Sequence, residues 1–524
     1  MIFRRKFSIN PYRTLRLPLA GMSFCKDWLN TSRGDPCPVT FAGETRPSER
    51  TGDGYYTARG KGFVCRLIGQ HFPYATYDIE PGELSLGRVG LRIAASCGGR
   101  SSYTPETAPV LDIFIEAGAK YRVGYELSAG GETAESKYYR VEEKPLPGTK
   151  LSVTFRGGAF DIYLDDGVRA VPVITAEPPG LGDSMKHGTF SRMTASLLCD
   201  LHAGGRLRVD SVGTHLCGGI SHADIKPICY EDGTPMLDDG RLYLTVSARF
   251  EAKTSQIVVS LNPSGCDLRL EGAIFFDCGD DRWCHDVGSS VLFNRMTGEW
   301  YVWSVAFSHG HILCHGTSKA DLRHGIHVID AKLMPTAEGQ PEPVYGSSGI
   351  TLPDDRMWLG KSGDEDPHLI YDAERKMWYL TVCRLVRLEN KNAYRYFMFE
   401  SERPFDGFRY VTHTLEGENT GGSMICVAGK RYFVCGSDFG ARAHYNIYRL
   451  GDFSEYRRAE FDFDDGGFRG WGTIIPIPCG NRTRLLWLTF DRHGGSEYNW
   501  SYGNLYGFEG EAMIKNGEDI DLWI

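Results

Sequence analysis

The chain reads as all-β, with an N-terminal β-sandwich followed by a five-bladed β-propeller. Three observations lead to that class. Hardly any segment keeps a helical period, whereas TKLSVTFRGGAFDIYLDDG (149–167) and RLYLTVSARF (241–250) alternate with period two or run β-branched and aromatic. Glycine at 63 residues and aromatics at 12% supply turn formers and strand formers in quantity. A two-strand unit also recurs through the second half of the chain.

Short strands fill the stretch from about residue 50 to about 215, among them VGLRIAAS, VLDIFIEAG, KLSVTFRGG and RLRVDSVG. Pro-Gly, Gly-Gly and Asp-Gly pairs separate them at the ~8–12 residue spacing of a sandwich. The string GGAFDIYLDDGV resembles the hairpins of laminin-G-like and concanavalin-like sandwiches.

Beyond about residue 220 each unit is an apolar run, a turn, and an aromatic-rich strand ending in a polar residue. The units are PMLDDGRLYLTVSAR, SVLFNRMTGEWYVWSVAF, HLIYDAERKMWYLTVCR, SMICVAGKRYFVCGSD and TIIPIPCGNRTRLLWLTFDR, with starts 55, 78, 55 and 50 residues apart. Those periods are blade-like, and small sheets that bury their faces only against neighbours close into a ring. The expected division is an extension over 1–35, the sandwich over 36–218 and the propeller over 219–524.

A net charge of −9 with no Lys/Arg-rich run excludes a nucleic-acid partner. No segment approaches the ~18 apolar residues of a membrane span, and the start, MIFRRKFSIN, makes a poor signal peptide. The 15 cysteines are scattered singly, without CxxC pairs, as in a reduced, cytoplasmic protein. No cofactor is expected. The expected partner is a carbohydrate, with a homo-oligomer left open.

The blade pattern, together with DPHLIYDAERKMWYL, resembles the five-bladed propeller glycoside hydrolases: the arabinanases, β-xylosidases, fructofuranosidases and their anhydro-galactosidase relatives. The resemblance covers about residues 222–524. It implies a glycosidase, with a first-blade Asp as base, a third-blade Asp tuning the acid, and a fourth-blade Glu as acid. Asp366 in EDPH matches the third of these positions. Asp232 lies one residue before the expected first-blade carboxylate. Glu418 lies near the fourth-blade position, which Thr420 occupies.

In a propeller, residues ahead of each first strand and after each second strand crowd one funnel. The inner set holds Asp232, then His285 and Asp286, then Asp364, Glu365 and Asp366, then Glu418, and finally Trp471. The outer set holds Arg249, His309, His311, Arg384, Asp438 and Arg492. Hydrolysis of a glycosidic bond needs a proton donor and a second carboxylate as base or nucleophile. Asp232, Asp286, Asp366 and Glu418 are the candidate carboxylates, and His285 and His309 the candidate proton-transfer groups. Arg249, Arg384 and Arg492 suit an anionic sugar, with His311, Asp438 and Trp471 as further contacts. No metal is expected, because SHGHILCH lacks a partner cluster of recurrent spacing. An exo-acting hydrolase is the reading. A uronate lyase and a non-catalytic sugar-binding protein are its rivals.

Overall fold

A computed structural model describes the chain apart from residues 1, 10–14, 19–22, 25–38, 41–55, 96–108, 130, 142–147, 168–169, 180, 182–184, 220, 250–253, 265–266, 335–344, 347–348, 351–358, 360–361, 388–391, 415–420, 428, 438–443, 462–467, 480–481, 492–503, 515–519 and 524. Two compact units result. One comprises Met1–Leu15, Gly218–Gly279 and His285–Ile524, the other Arg16–Cys217 and Asp280–Cys284. The first 15 residues thus group with the propeller.

The larger unit is a five-bladed propeller. Blade one runs outward from Ser221–Pro227 through Arg241–Arg249, Thr254–Asn262 and Asp267–Asp277. Blade two starts at Val287–Asn294 and continues with Glu299–Ala306 and Ile312–Ser318. Blade three starts at Asp364–Asp372, followed by Met377–Arg387, Asn392–Ser401 and Arg409–His413. Blade four starts at Ser423–Val427 and blade five at Phe468–Cys479. Each inner strand lies beside that of the next blade, and the fifth returns to the first, so the ring is closed.

Both chain ends secure the closure. Ile2–Ile9 pairs antiparallel with Leu505–Ile514 of blade five and parallel with Glu455–Phe461 of blade four. A strand from the start of the sequence therefore completes a sheet made at its end, and the edge it covers is no longer open.

The aromatic second strands pack between blades, as their sequence predicts. Trp303, Leu380, Val382, Phe397 and Phe399 form one cluster between blades two and three. Val434, Tyr445, Ile474, Trp487 and Phe508 form another between blades four and five. Each such side chain is worth about 1.5–3 kcal/mol when fully buried.

Four of the five expected hairpins are the inner pairs of their blades. Blade one differs, because SHADIKP (221–227) takes most of the inner edge, while Leu237–Asp238 of PMLDD continues that edge in a short hairpin with Arg241 and Leu242. Between them, residues 228–236 fold into a turn at the far end of the ring. Its Glu231 carbonyl accepts from Tyr371 N at 2.6 Å, and Arg295 N donates to the Glu231 carboxylate at 3.0 Å. A Cβ on Gly233 would stand 3.4 Å from Ile370 and 3.8 Å from Cys426, so this turn lies across the ends of inner strands from two other blades.

In the smaller unit two long strands join the strands of both wings, and Tyr125 of one wing packs on Phe160 of the other at 5.2 Å between ring centroids. Among the described residues 11 of its strands form one hydrogen-bonded sheet, and Ser23–Phe24 and Val39–Thr40 form a separate pair. Two long strands, Ala75–Ala95 and Met193–Cys217, run antiparallel along nearly their whole length. The first pairs with Val110–Ala117 at one end and Lys150–Arg156 at the other. Its register slips between Leu201 and Arg206, where His202-Ala203-Gly204-Gly205 interrupts the pairing. Val89, Leu91, Ile93, Ile113 and Ile115 are buried, while Arg88 pairs with Glu126 at 2.9 Å and Arg92 with Asp112 at 2.6 Å. That is the period-two alternation of one buried and one solvated face.

Candidate functional site on the propeller axis

The inner strands share a backbone defect at one level. Pairing in blade one slips between Ala223 and Lys226, in blade two between Val287 and Ser290, and in blade three between Glu365 and His368. Within each slip one residue has a left-handed backbone: Asp224 at φ 51°, Gly288 at φ 76° and Asp366 at φ 49°. In blade four Gly421, at φ 79°, stands just ahead of the inner strand. A bulge of this kind bends the strand and re-aims the side chain. Asp is among the few non-glycine residues that tolerate the conformation, although it remains strained.

Asp224 and Asp366 meet through this device. Asp366 is 4% exposed, and its Oδ2 accepts from Gly421 N at 2.7 Å. Its Oδ1 lies 3.6 Å from Nζ of Lys226, a fully buried ammonium that also donates to the Gly288 carbonyl at 3.2 Å and the Pro367 carbonyl at 3.4 Å. Asp224 is 8% exposed, and burial pushes its carboxyl above the usual carboxylate range, with the Asp366 charge adding to the rise. Arg249, a hydrogen bond from Ser247 and Lys226 pull it back in part.

The neighbours hold this group rigidly. Gly288 N donates to Ser247 Oγ at 3.3 Å, and a Cβ on Gly288 would come within 3.2 Å of Asp366 Oδ1. Only glycine allows both the turn and that approach. His368 is buried and kept neutral, its pKa lowered to about 3 by burial and then by Lys226, and its Nδ1 accepts from Met424 N at 3.3 Å.

Two residues ahead of each bulge sits a second ring position. In blade three Asp364 and Arg384 form a buried two-pronged pair at 2.6 and 2.8 Å, with the guanidinium over the Phe397 ring. Arg384 is thereby committed to Asp364, which differs from the substrate contact expected of it. In blade two Asp286 is 3% exposed, accepts from Ser308 N at 3.0 Å and Ser308 Oγ at 2.8 Å, and has its pKa pushed up to about 6 by burial. Ser308 Oγ is 2.8 Å from His309 Nδ1, and Cys278 completes a group of metal-type ligands with Asp286 and His309. His311 Nε2 lies 2.9 Å from Glu365. The carbonyl of His285 accepts from Thr254 Oγ1 at 3.5 Å.

Asp232 is the main positional correction. It lies in the turn at the far end of the ring, where its Oδ1 accepts from Thr234 N at 2.8 Å and Arg295 pairs with it at 2.7 Å. Burial raises its pKa, but those partners prevail and hold it below the ordinary value. The blade-one carboxylate level with Asp366 is Asp224, which the sequence reading passed over. A signal was present: HADIKP and DEDPHL each put an Asp two residues ahead of a Lys or His at an inner-strand start. Glu418, Asp438 and Arg492 lie outside the described residues, as does the side chain of Trp471.

No family model matches the chain, and no curated protein matches it. Among solved structures it is similar to Bacillus subtilis levansucrase at 12% identity, over 58% of this chain and 86% of that one, with a TM-score of 0.37. It is similar to the GH32 β-fructofuranosidase of Bombyx mori at 11% identity, over 57% of this chain and 62% of that one, TM-score 0.34. A GH43 β-1,3-galactosidase with galactodeoxynojirimycin gives 11% identity, 58% of this chain, 98% of that one and a TM-score of 0.35. At those scores the likeness carries no argument, and the propeller rests on the strand order of this chain.

Proposed function

We propose that the propeller is a glycoside hydrolase, cleaving a glycosidic bond where Asp224 and Asp366 converge. The observation that supports this reading most is the pair itself: two buried carboxylates on matching bulges, with a fully buried Lys226 3.6 Å from Asp366. Burial and the Asp366 charge raise the proton affinity of Asp224, which suits a group that takes up a proton. Asp224 takes the role of first-blade base, and Asp366 orients and tunes. The role of acid is assigned to Glu418, the fourth-blade candidate, which lies outside the described residues.

Action at a chain end suits the segment 228–236, which lies across the far ends of inner strands from two other blades. An anionic sugar suits Arg249, the cation beside Asp224. A cytoplasmic location suits the free thiols of Cys65, Cys229, Cys435 and Cys479.

The test is turnover of neutral and acidic oligosaccharides of graded length by the full chain. Asp224→Asn should lower the rate about 10²–10⁴-fold, the range of lost acid–base catalysis, while Asp232→Asn stays near wild type. Equal rates for wild type and Asp224→Asn would remove Asp224 from the mechanism. Release of internal fragments first would remove the chain-end reading, and turnover of neutral sugars alone would remove the anionic one.

A further inference from the structure

Beside the axial pair, blades one and two bring together three side chains that neither the fold nor the proposed hydrolysis uses. Cys278 follows the Asp267–Asp277 strand, Asp286 precedes the Val287–Asn294 strand, and His309 ends the short turn Phe307–His309. A ligand atom from each lies within 4.8 Å of the other two. We propose that this cluster is a binding site for a divalent transition metal, zinc above all.

The donor set selects the ion. A thiolate, an imidazole and a carboxylate suit zinc, whereas calcium and magnesium take oxygen alone. Thiolate and carboxylate together balance the two positive charges. Tetrahedral zinc at its usual bond lengths puts neighbouring ligand atoms about 3.3–3.6 Å apart, so the three donors, within 4.8 Å of one another, draw together on binding. Three protein ligands leave the fourth position to water or a small anion.

The surrounding hydrogen bonds are those a metal site requires. Ser308 Oγ gives its proton to Asp286 Oδ2 at 2.8 Å, so at its 2.8 Å contact with His309 it accepts from Nδ1. That assigns the proton to Nδ1 and the lone pair to Nε2, the tautomer that binds a metal through Nε2. Ser308 N holds the other Asp286 oxygen at 3.0 Å, and a carboxylate with two such bonds keeps lone pairs for an ion. One serine thus orients two of the three ligands. The site stands whether or not the axial carboxylates cleave a glycoside.

The experiment is calorimetric titration of the chelator-treated full chain with zinc alone, repeated with cobalt under reducing conditions. One equivalent should bind. Cys278→Ser and His309→Ala should each abolish that equivalent, and His311→Ala should keep it. Ser308→Ala should weaken affinity about 10–100-fold, as loss of an outer-shell partner does. Cobalt should show a thiolate charge-transfer band in the near ultraviolet that Cys278→Ser lacks. Absence of a bound equivalent overturns the proposal, as does an equivalent undiminished in either Cys278→Ser or His309→Ala. Circular dichroism and the melting profile establish that each variant is folded. If Cys278→Ser is not, His309→Ala on its half-exposed turn decides the question.

Discussion

Blades two and three carry the same backbone at their inner strands and opposite chemistry. Both bulge at one level and turn through a left-handed residue, Gly288 in one and Asp366 in the other. Two residues earlier both place an aspartate, Asp286 against Ser308 and Asp364 against Arg384. The repeat supplies the geometry, and single substitutions on it decide which blade presents a carboxylate and which makes room for one. Gly288 supports Asp366, because a Cβ there would press on that carboxylate at 3.2 Å.

The largest effect expected is on rate. Asp366→Asn should reduce turnover about 10²–10⁴-fold, whereas Asp286→Asn, at the equivalent blade of the opposite kind, should cost about tenfold or less. Comparable losses for the two would mean that the bulge position does not define the catalytic group. Next in size is stability at the second ring position. Arg384→Met strands the buried Asp364 charge and should lower unfolding free energy by about 3–5 kcal/mol in urea titrations. Ser308→Ala removes hydrogen bonding without stranding a salt-bridge partner and should cost about 1 kcal/mol.

Gly288→Ala tests the exchange between blades directly. A side chain at φ 76° costs about 1–2 kcal/mol, and its Cβ would stand 3.2 Å from Asp366 Oδ1. Melting temperature and turnover should therefore fall together. A stability loss with full activity would show that Asp366 does not need the space.

The smallest effect is the pH dependence of stability. The folded Asp224 carboxyl has its pKa raised above the unfolded value, so it holds its proton to higher pH than the unfolded chain does. Its stabilising contribution is full below the unfolded value near 4 and is lost as pH rises through the raised folded value. Asp224→Asn should therefore gain stability relative to wild type between pH 4 and pH 8, by on the order of 1 kcal/mol. A constant difference across that range would mean that Asp224 does not bear the burial and repulsion assigned to it.

The sequence by itself determined the β class, the five-fold repeat and the interblade core, because period-two alternation and aromatic second strands are local signals. It also placed Asp366, which directly precedes a proline, at an inner-strand start. The tertiary structure decided the rest, for reasons of long-range pairing. PMLDDGRLYLTV forms its hairpin through Leu237–Asp238 alone, whereas ring closure gives the rest of the inner edge to SHADIKP, and the connection between them carries Asp232 to the far end. Asp224 gains its role only from neighbours 142 residues away in sequence, the distance from 224 to 366. The smaller unit shows the same limit. Strand and turn composition specifies short β segments, but only hydrogen-bond register joins them through two long strands into one sheet.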